Sequence, residues 1–177
     1  MGMPLRPADY VVAPRRCTYD SPIGRLVLVA GDGGLTHILF PGHSLGDLGL
    51  SARDVPVVDD DPVLASTRQQ LGEYFDGERT TFDVPLHVEG NDFEIEVWFA
   101  MRSIPYGETI SYGEQAERAG HDGAFQAVGA ANGRNPLPIV VPCHRVIGSD
   151  GSLVGFGGGL DLKRQLLDLE AGVQRLF

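Results

Sequence analysis

A thiol and an imidazole stand side by side in Pro142-Cys143-His144-Arg145-Val146, after the apolar run Ile139-Val140-Val141. The thiol is the softest nucleophile available to a protein, but only its thiolate attacks well, and an ordinary cysteine is mostly protonated near neutral pH. His144 is the nearest group able to take that proton, directly or through one water. The apolar run predicts a strand continuing through Cys143, on which consecutive side chains point to opposite faces and need not touch. Pro142 fixes its own φ and restrains the residue before it, so the chain enters the cysteine with little freedom. On the catalytic reading the Cys143 thiol is expected to titrate below its ordinary value, dependent on its proton acceptor. A cysteine following an apolar run also fits a buried, inert residue, and the Cys-His pair leaves both readings open.

The elements around this pair are predicted to be mainly helical. Asn91 with Glu94 three residues on forms a capping box for a helix whose buried side is Phe93, Val97, Trp98 and Met101. Ser111-Tyr112-Gly113-Glu114 is a second box and opens a short helix to Ala119. Gly120-His121-Asp122-Gly123 breaks it, and Ala124 to Gly133 forms a helix of unusually small residues, so the two have the form of a helix-turn-helix. Small residues let backbone approach a surface closely, which suits the narrow minor groove better than reading base edges in the major groove. Gly155 to Gly159 is a glycine loop with Phe156 as its one large residue, and it lacks the Lys-Ser or Lys-Thr of a phosphate loop. Asp161 is expected to cap a last helix from Leu162 to about Ala171. Glu170 falls near its end, where the helix dipole disfavours an anion, so a cationic or imidazole partner is expected for it.

The first half reads differently. Arg16 to Tyr19 and Arg25 to Phe40 alternate as strands around the turn Gly31-Asp32-Gly33-Gly34. Cys17 lies on the first strand and is expected to be buried. A loop over 41–58 leads to Asp61-Pro62, a helix start with Pro in the first turn, and Val63, Leu64, Thr67, Leu71, Tyr74 and Phe75 then recur at helical spacing until Gly77. Thr80 to Leu86 reads as a short strand or extended linker. His37 and His43 have no partners at zinc-like spacing, so no metal site is expected.

The chain has 177 residues and a formal charge of −10. No apolar run is long enough for a membrane span, Met1 to Asp9 lacks the apolar core of a secretion signal, and two cysteines make no disulfide framework, so a cytoplasmic location is expected. The acidity is uneven: residues 1–92 carry 7 Lys and Arg against 14 Asp and Glu, and residues 93–177 carry 7 against 10. Composition alone argues against a nucleic-acid partner.

The ordered set Ile104-Pro105-Tyr106-Gly107-Glu108-Thr109, Ser111-Tyr112-Gly113, Ala127-Val128-Gly129, Asn135-Pro136, Pro142-Cys143-His144-Arg145-Val146, Gly155-Phe156-Gly157-Gly158-Gly159 and Leu166-Leu167-Asp168-Leu169-Glu170 resembles the O6-alkylguanine-DNA alkyltransferases, the methylated-DNA–protein-cysteine methyltransferases. The likeness is strong over about residues 91 to 171, and Asp20-Ser21-Pro22-Ile23-Gly24 extends it weakly into the first half. It implies irreversible transfer of an alkyl group from O6-alkylguanine in DNA to Cys143, once per molecule, with O4-alkylthymine as a further possible substrate and no cofactor. His144 is implied as the base acting through water, Glu170 as its orienter, Tyr112 as donor to the base, and Asn135 as the residue holding the segment beside the cysteine. Gln126, Ala127, Ala130, Arg134 and Arg145 are implied at the DNA, and Phe156, Gly157 and Val146 at the substrate pocket. The implied partner is double-stranded DNA bound at the minor groove, with the target base flipped out, by a monomer that associates with the nucleoid when acting.

Two positions depart from the family pattern. Gln126 stands where arginine is usual before Ala-Val-Gly, the residue that fills the gap left by the flipped base, and Phe156 stands where tyrosine is common. A non-catalytic sensor of alkylated DNA is one alternative, but such relatives lack the cysteine. A thiol hydrolase is another, weakened by the adjacency of Cys143 and His144 and by the helix-turn-helix context. The expected architecture is α+β: a small antiparallel-sheet and helix domain, ribonuclease H-like by resemblance, over residues 1–88, then a mainly helical, winged-helix-like domain over 89–177 for DNA binding and alkyl acceptance.

Overall fold

The computed structural model describes residues 13–173; the segment Met1 to Asp9, read above for a secretion signal, lies outside them. The chain divides into two compact units, 1–89 and 90–177. In the first, strands β1 (Arg15–Ser21), β2 (Gly24–Gly31) and β3 (Gly34–Leu39) form an antiparallel sheet in sequential order. Alternation places Cys17, Leu26 and Leu28 in a fully buried layer. Loop backbone bridges each sheet edge at one position. Arg16 of β1 exchanges hydrogen bonds with Pro56 and Val58, and Leu35 of β3 does so with Pro85 and His87, which interrupts the open edge that would invite pairing with another chain.

Helix α1 (Pro62–Phe75) packs across all three strands. Its start follows from Asp61: the carboxylate accepts from the backbone N–H groups of Val63 and Leu64, each at 3.0 Å, while Pro62 occupies a first-turn position that needs no donor. Arg15 pairs with the other Asp61 oxygen and so ties β1 to the helix cap. The buried face is Leu64, Thr67, Gln70, Leu71, Tyr74 and Phe75. Gln70 joins it through hydrogen bonds with Asp83, which anchor the extended segment after the helix.

The second unit contains α2 (Asp92–Met101), β4 (Ile110–Ser111), α3 (Tyr112–Arg118), α4 (Phe125–Gly133), β5 (Val146–Ile147) and α5 (Leu160–Glu170). The capping box at Asn91 and Glu94 forms in both directions. At α3 Ser111 caps the Glu114 N–H, while Glu114 itself is drawn to Arg118 at 2.6 Å. Helices α2, α3 and α4 share a core of Val97, Ala116, Val128 and Ala131. Two polar contacts fix their register: Trp98 donates to the Ala131 carbonyl at 2.8 Å, and Gln115 and Asn132 exchange amide hydrogen bonds. The parallel pair β4 and β5 aligns Ile110 with Val146 and Ser111 with Ile147, which sets the start of α3 beside the segment leaving the Cys-His pair. Helix α5 starts earlier than the Asp161 cap predicts. Gly159, at φ 93°, turns the glycine loop directly into the helix, and Asp161 lies exposed in its first turn. Among the described residues no helix is long and apolar enough to cross a membrane.

Asp61→Ala removes two hydrogen bonds to the α1 N-terminus and the Arg15 pair. It is expected to destabilise the first unit by about 2 kcal/mol, read as a lower urea midpoint, while Asp61→Asn recovers part of the loss.

Candidate active site

The apolar run does not form the predicted strand. Val141 donates to the Leu137 carbonyl at 2.8 Å, Ile139 takes φ 74°, and Cys143–Arg145 is a single turn of 3-10 helix. Pro136, Pro138 and Pro142 deny the segment the donors a sheet ladder needs, so it buries its apolar side chains as a turn. A β-branched residue with positive φ is sterically strained. Here it is enclosed on all sides, with Ile139 1% exposed. The consequence expected of a strand survives by another route: at three residues per turn, Cys143 and His144 still diverge.

Asn135 pins this turn from outside. Its amide donates to the Val141 carbonyl at 2.8 Å and its oxygen accepts from the Leu137 N–H at 3.0 Å. The Val141 carbonyl also accepts from the Cys143 N–H at 2.8 Å, so one oxygen anchors both the side chain and the turn that carries the thiol.

His144 is fully buried, and its Nε2 lies 2.6 Å from Glu170 Oε1. The same carboxylate accepts from Arg145 Nε at 2.8 Å and Nη2 at 2.9 Å, and from the Gly107 N–H at 3.3 Å. Arg145 Nη1 donates onward to the Ile104 carbonyl at 2.7 Å. Burial pushes Glu170 toward the neutral form, but the hydrogen bonds from His144 and Arg145 outweigh it and hold the carboxyl down at about 2. Burial lowers the His144 pKa against the pull of Glu170, which favours the neutral imidazole near neutral pH. A neutral ring facing an ionised carboxylate through Nε2 must carry its proton there. Nδ1 is then the basic nitrogen, and it has no hydrogen-bond partner among the described residues.

The Cys143 thiol is 7% exposed. Burial raises its pKa above the ordinary value, opposite to the depressed value expected from the sequence. The Asn135 amide, the Lys163 charge and the His144 backbone N–H act against that rise without cancelling it. Lys163 is itself fully buried, and its ammonium is held by the carbonyls of Val146 at 2.6 Å and Val154 at 3.2 Å. It lies 5.8 Å from the Tyr112 ring centre and 6.0 Å from that of Phe156. Burial lowers its pKa, opposed by Cys143. Tyr112 donates to the same Val154 carbonyl at 2.9 Å, so the entrance to the glycine loop is fastened by a hydroxyl and an ammonium at one oxygen.

The comparisons with known proteins meet this geometry. Residues 92–172 match the family described as the 6-O-methylguanine DNA methyltransferase DNA-binding domain, and residues 15–88 match the ribonuclease-like domain of the same proteins. The methylated-DNA–protein-cysteine methyltransferase of Mycolicibacterium paratuberculosis is 49% identical over 153 residues, 86% of this chain and 90% of that one. The chain belongs to this family. The enzyme of that name from Methanosarcina acetivorans is 44% identical across 86% of this chain and 95% of its own length. Among solved structures, Mycobacterium tuberculosis OGT in complex with DNA is similar with TM-score 0.78 and 48% identity, over 90% of this chain and 92% of that one. The M. tuberculosis O6-methylguanine methyltransferase superposes with TM-score 0.79 and 44% identity, over 92% and 95%. The α+β class, a small antiparallel sheet domain followed by a helical one, is that of these structures.

Within this family member the expected site residues separate into groups. His144 meets Glu170 directly, Asn135 holds the turn that carries Cys143 and hydrogen-bonds the thiol, and Tyr112 joins them across the glycine loop. Gln126, Ala127 and Ala130 are exposed along α4, and Arg134 follows it, more than half exposed while donating to Glu94 at 2.5 Å. Phe156 is half-buried, Gly157 is exposed, and Val146 is fully buried with its carbonyl taken by Lys163. Arg145 does not stand at the DNA as expected. It is 6% exposed, with its guanidinium committed to Glu170 and Ile104 and lying over the Tyr106 ring, so it cannot reach a phosphate and instead anchors the Glu170 carboxylate. Lys163 was missed as a member of the site. Its signal was available in the spacing of Lys163, Leu166 and Glu170, which places a lysine on the buried stripe of α5.

Lys163→Met removes a charge that lowers the Cys143 pKa, so the midpoint of iodoacetamide reactivity should move to higher pH. Glu170→Gln leaves the Arg145 guanidinium buried and uncompensated and should cost about 3 kcal/mol of stability in the second unit. Because Glu170 titrates near 2 when folded and at its ordinary value when unfolded, the stability it contributes is complete above the ordinary carboxylate range. It is lost as pH falls toward 2. The acid limb of a stability-versus-pH curve should therefore flatten in Glu170→Gln.

Proposed function

We propose that the protein repairs DNA by direct, irreversible transfer of an alkyl group from O6-alkylguanine to its own Cys143. The observation that carries this reading is the thiol beside a neutral, carboxylate-oriented imidazole, in a family whose named members are methylated-DNA–protein-cysteine methyltransferases. DNA is the macromolecular partner, approached along the exposed side of α4, where Gln126, Ala127, Ala130 and Arg134 lie. A thiol 7% exposed cannot meet a base inside the stack, so the target nucleotide is extruded into the pocket at a cost of a few kcal/mol. The protein acts as a monomer, since one chain holds every group the reaction uses.

The resting thiol is protonated because burial disfavours its charge. When substrate is bound, the proton passes to His144 Nδ1, directly or through one water, and the Nε2–H···Glu170 hydrogen bond stabilises the imidazolium that forms. Sulfur attacks the alkyl carbon. The S–C bond forms as the C–O6 bond breaks, and the bonding pair departs onto the purine, which takes a proton and leaves as guanine. Tyr112 is the donor to the departing base. Its hydroxyl donates to the Val154 carbonyl, so base entry exchanges one acceptor for another. Lys163 and the Asn135 amide stabilise the thiolate while it lasts, and Asn135 also keeps the turn beneath it in place. Phe156 supplies a stacking face at the pocket and Gly157 a backbone free of side-chain obstruction.

The thioether has no leaving group for hydrolysis, so the molecule is spent after one event. Incubation with duplex containing O6-methylguanine should add about 14 Da to the intact protein at one equivalent, mapped to the peptide containing Cys143. Cys143→Ser should bind the duplex and gain no mass. Turnover beyond one equivalent, or a methyl on Cys17, would contradict the assignment. Cys17 should stay inert, since burial on β1 pushes its thiol up to about 11.

A further inference from the structure

In a chain of net charge −10, residues 123–149 contain no Asp or Glu. Helix α4 lies inside that stretch, so its exposed side is where a polyanion meets least repulsion. The first helical residue is Phe125, 53% exposed. Large apolar side chains that stand this open among the described residues are Val57, Phe125, Val154, Leu160 and Val173, and Phe125 is the one aromatic of the five. A ring more than half exposed at the head of a helix lies outside the core, which α4 supplies with Val128 and Ala131.

Its position on the helix gives it a use. Phe125, Gly129 and Gly133 follow one another at intervals of four and form a single ridge. At the middle of that ridge, a Cβ placed on Gly129 would lie 3.8 Å from the Tyr112 ring. Phe125 therefore stands one turn along from the contact between α4 and Tyr112, and Tyr112 reaches the glycine loop through the Val154 carbonyl. Val154 and Leu160, 51% and 45% exposed, stand at that loop. Phe125 itself projects from the acid-free helix beside Gln126.

We propose that Phe125 is an apolar wedge that enters the base stack of DNA at the lesion and holds open the gap left by the extruded nucleotide. The inference rests on the alkyl-transfer reading above and adds a residue to it. Proteins at the minor groove insert phenylalanine and similar side chains between base steps, and an aromatic face stacks on any base regardless of sequence. Gln126, next along the helix, is placed to hydrogen-bond the orphaned partner base, while Phe125 supplies the stacking surface an uncharged glutamine lacks. Phe125 is a positioning residue, since it touches neighbouring bases and not the reacting atoms.

The test compares full-length protein with Phe125→Ala and Phe125→Trp under single-turnover conditions. The substrates are duplex carrying O6-methylguanine with 2-aminopurine at the adjacent base, and free O6-benzylguanine, which needs no extrusion. Phe125→Ala should slow transfer from saturating duplex by about tenfold and blunt the 2-aminopurine fluorescence rise. It should react with the free base at the unaltered rate and leave the melting temperature unchanged. Phe125→Trp should restore the duplex rate. An unaltered duplex rate in Phe125→Ala would overturn the wedge. Equal slowing on both substrates would also overturn it, by moving the residue's action to the pocket. If the unaltered protein transfers nothing from either substrate, the alkyl-transfer reading fails and the wedge with it.

Discussion

One buried carboxylate organises the catalytic half of the protein. Glu170 accepts from His144, twice from Arg145, and from the backbone of Gly107. A charge taken out of water at this depth survives only when its lone pairs are filled with good geometry, and four donors from two separate segments do that. The end of α5, the Cys-His turn and the loop before β4 are therefore fixed to one another by the electrostatic requirement of a single side chain. That fixation also settles the chemistry of the imidazole. With Nε2 committed to Glu170, the proton acceptor has to be Nδ1.

Burial sets the second constraint, acting on two groups in opposite senses. It raises the Cys143 thiol and lowers the Lys163 ammonium, so each disfavours its own charge and relieves the other's. A resting site of this kind holds a protonated thiol, protected from adventitious alkylation and oxidation, and becomes nucleophilic when its proton has somewhere to go. This suits a protein that can react only once, because premature reaction removes it permanently. The strained Ile139 and the prolines around it belong to the same arrangement: an irregular turn delivers the thiol to an enclosed place that a strand would leave on a sheet face.

How far the sequence discloses this depends on whether the signal is local. Asp61-Pro62 and Asn91 with Glu94 are readable because a cap and its donor lie within one turn of each other. The three strands of the first unit are readable because alternation and glycine turns coincide. Ile139-Val140-Val141 misleads, since an apolar run marks burial and not conformation, and the prolines that forbid a ladder outweigh it. Arg145 misleads for a different reason: the sign of a charge says nothing about whether it faces water, and the guanidinium is consumed by Glu170, 25 residues away. The thiol pKa was expected in the wrong direction because neighbours are visible in a sequence and desolvation is not. The pairing of His144 with Glu170 has no periodicity to reveal it: an anion at a helix end calls for a cationic or imidazole partner, and the family resemblance singles out His144.

The mechanism depends most on the state of His144. Nitrogen-15 NMR of the imidazole side chains in the unreacted protein, with His144 assigned by comparison with a His144→Gln variant, reads that state directly. A neutral ring protonated on Nε2 near neutral pH, with Nδ1 at the shift of an unprotonated nitrogen, is the result predicted here. A ring protonated on Nδ1, or an imidazolium at the same pH, would leave Cys143 without its acceptor and contradict the mechanism.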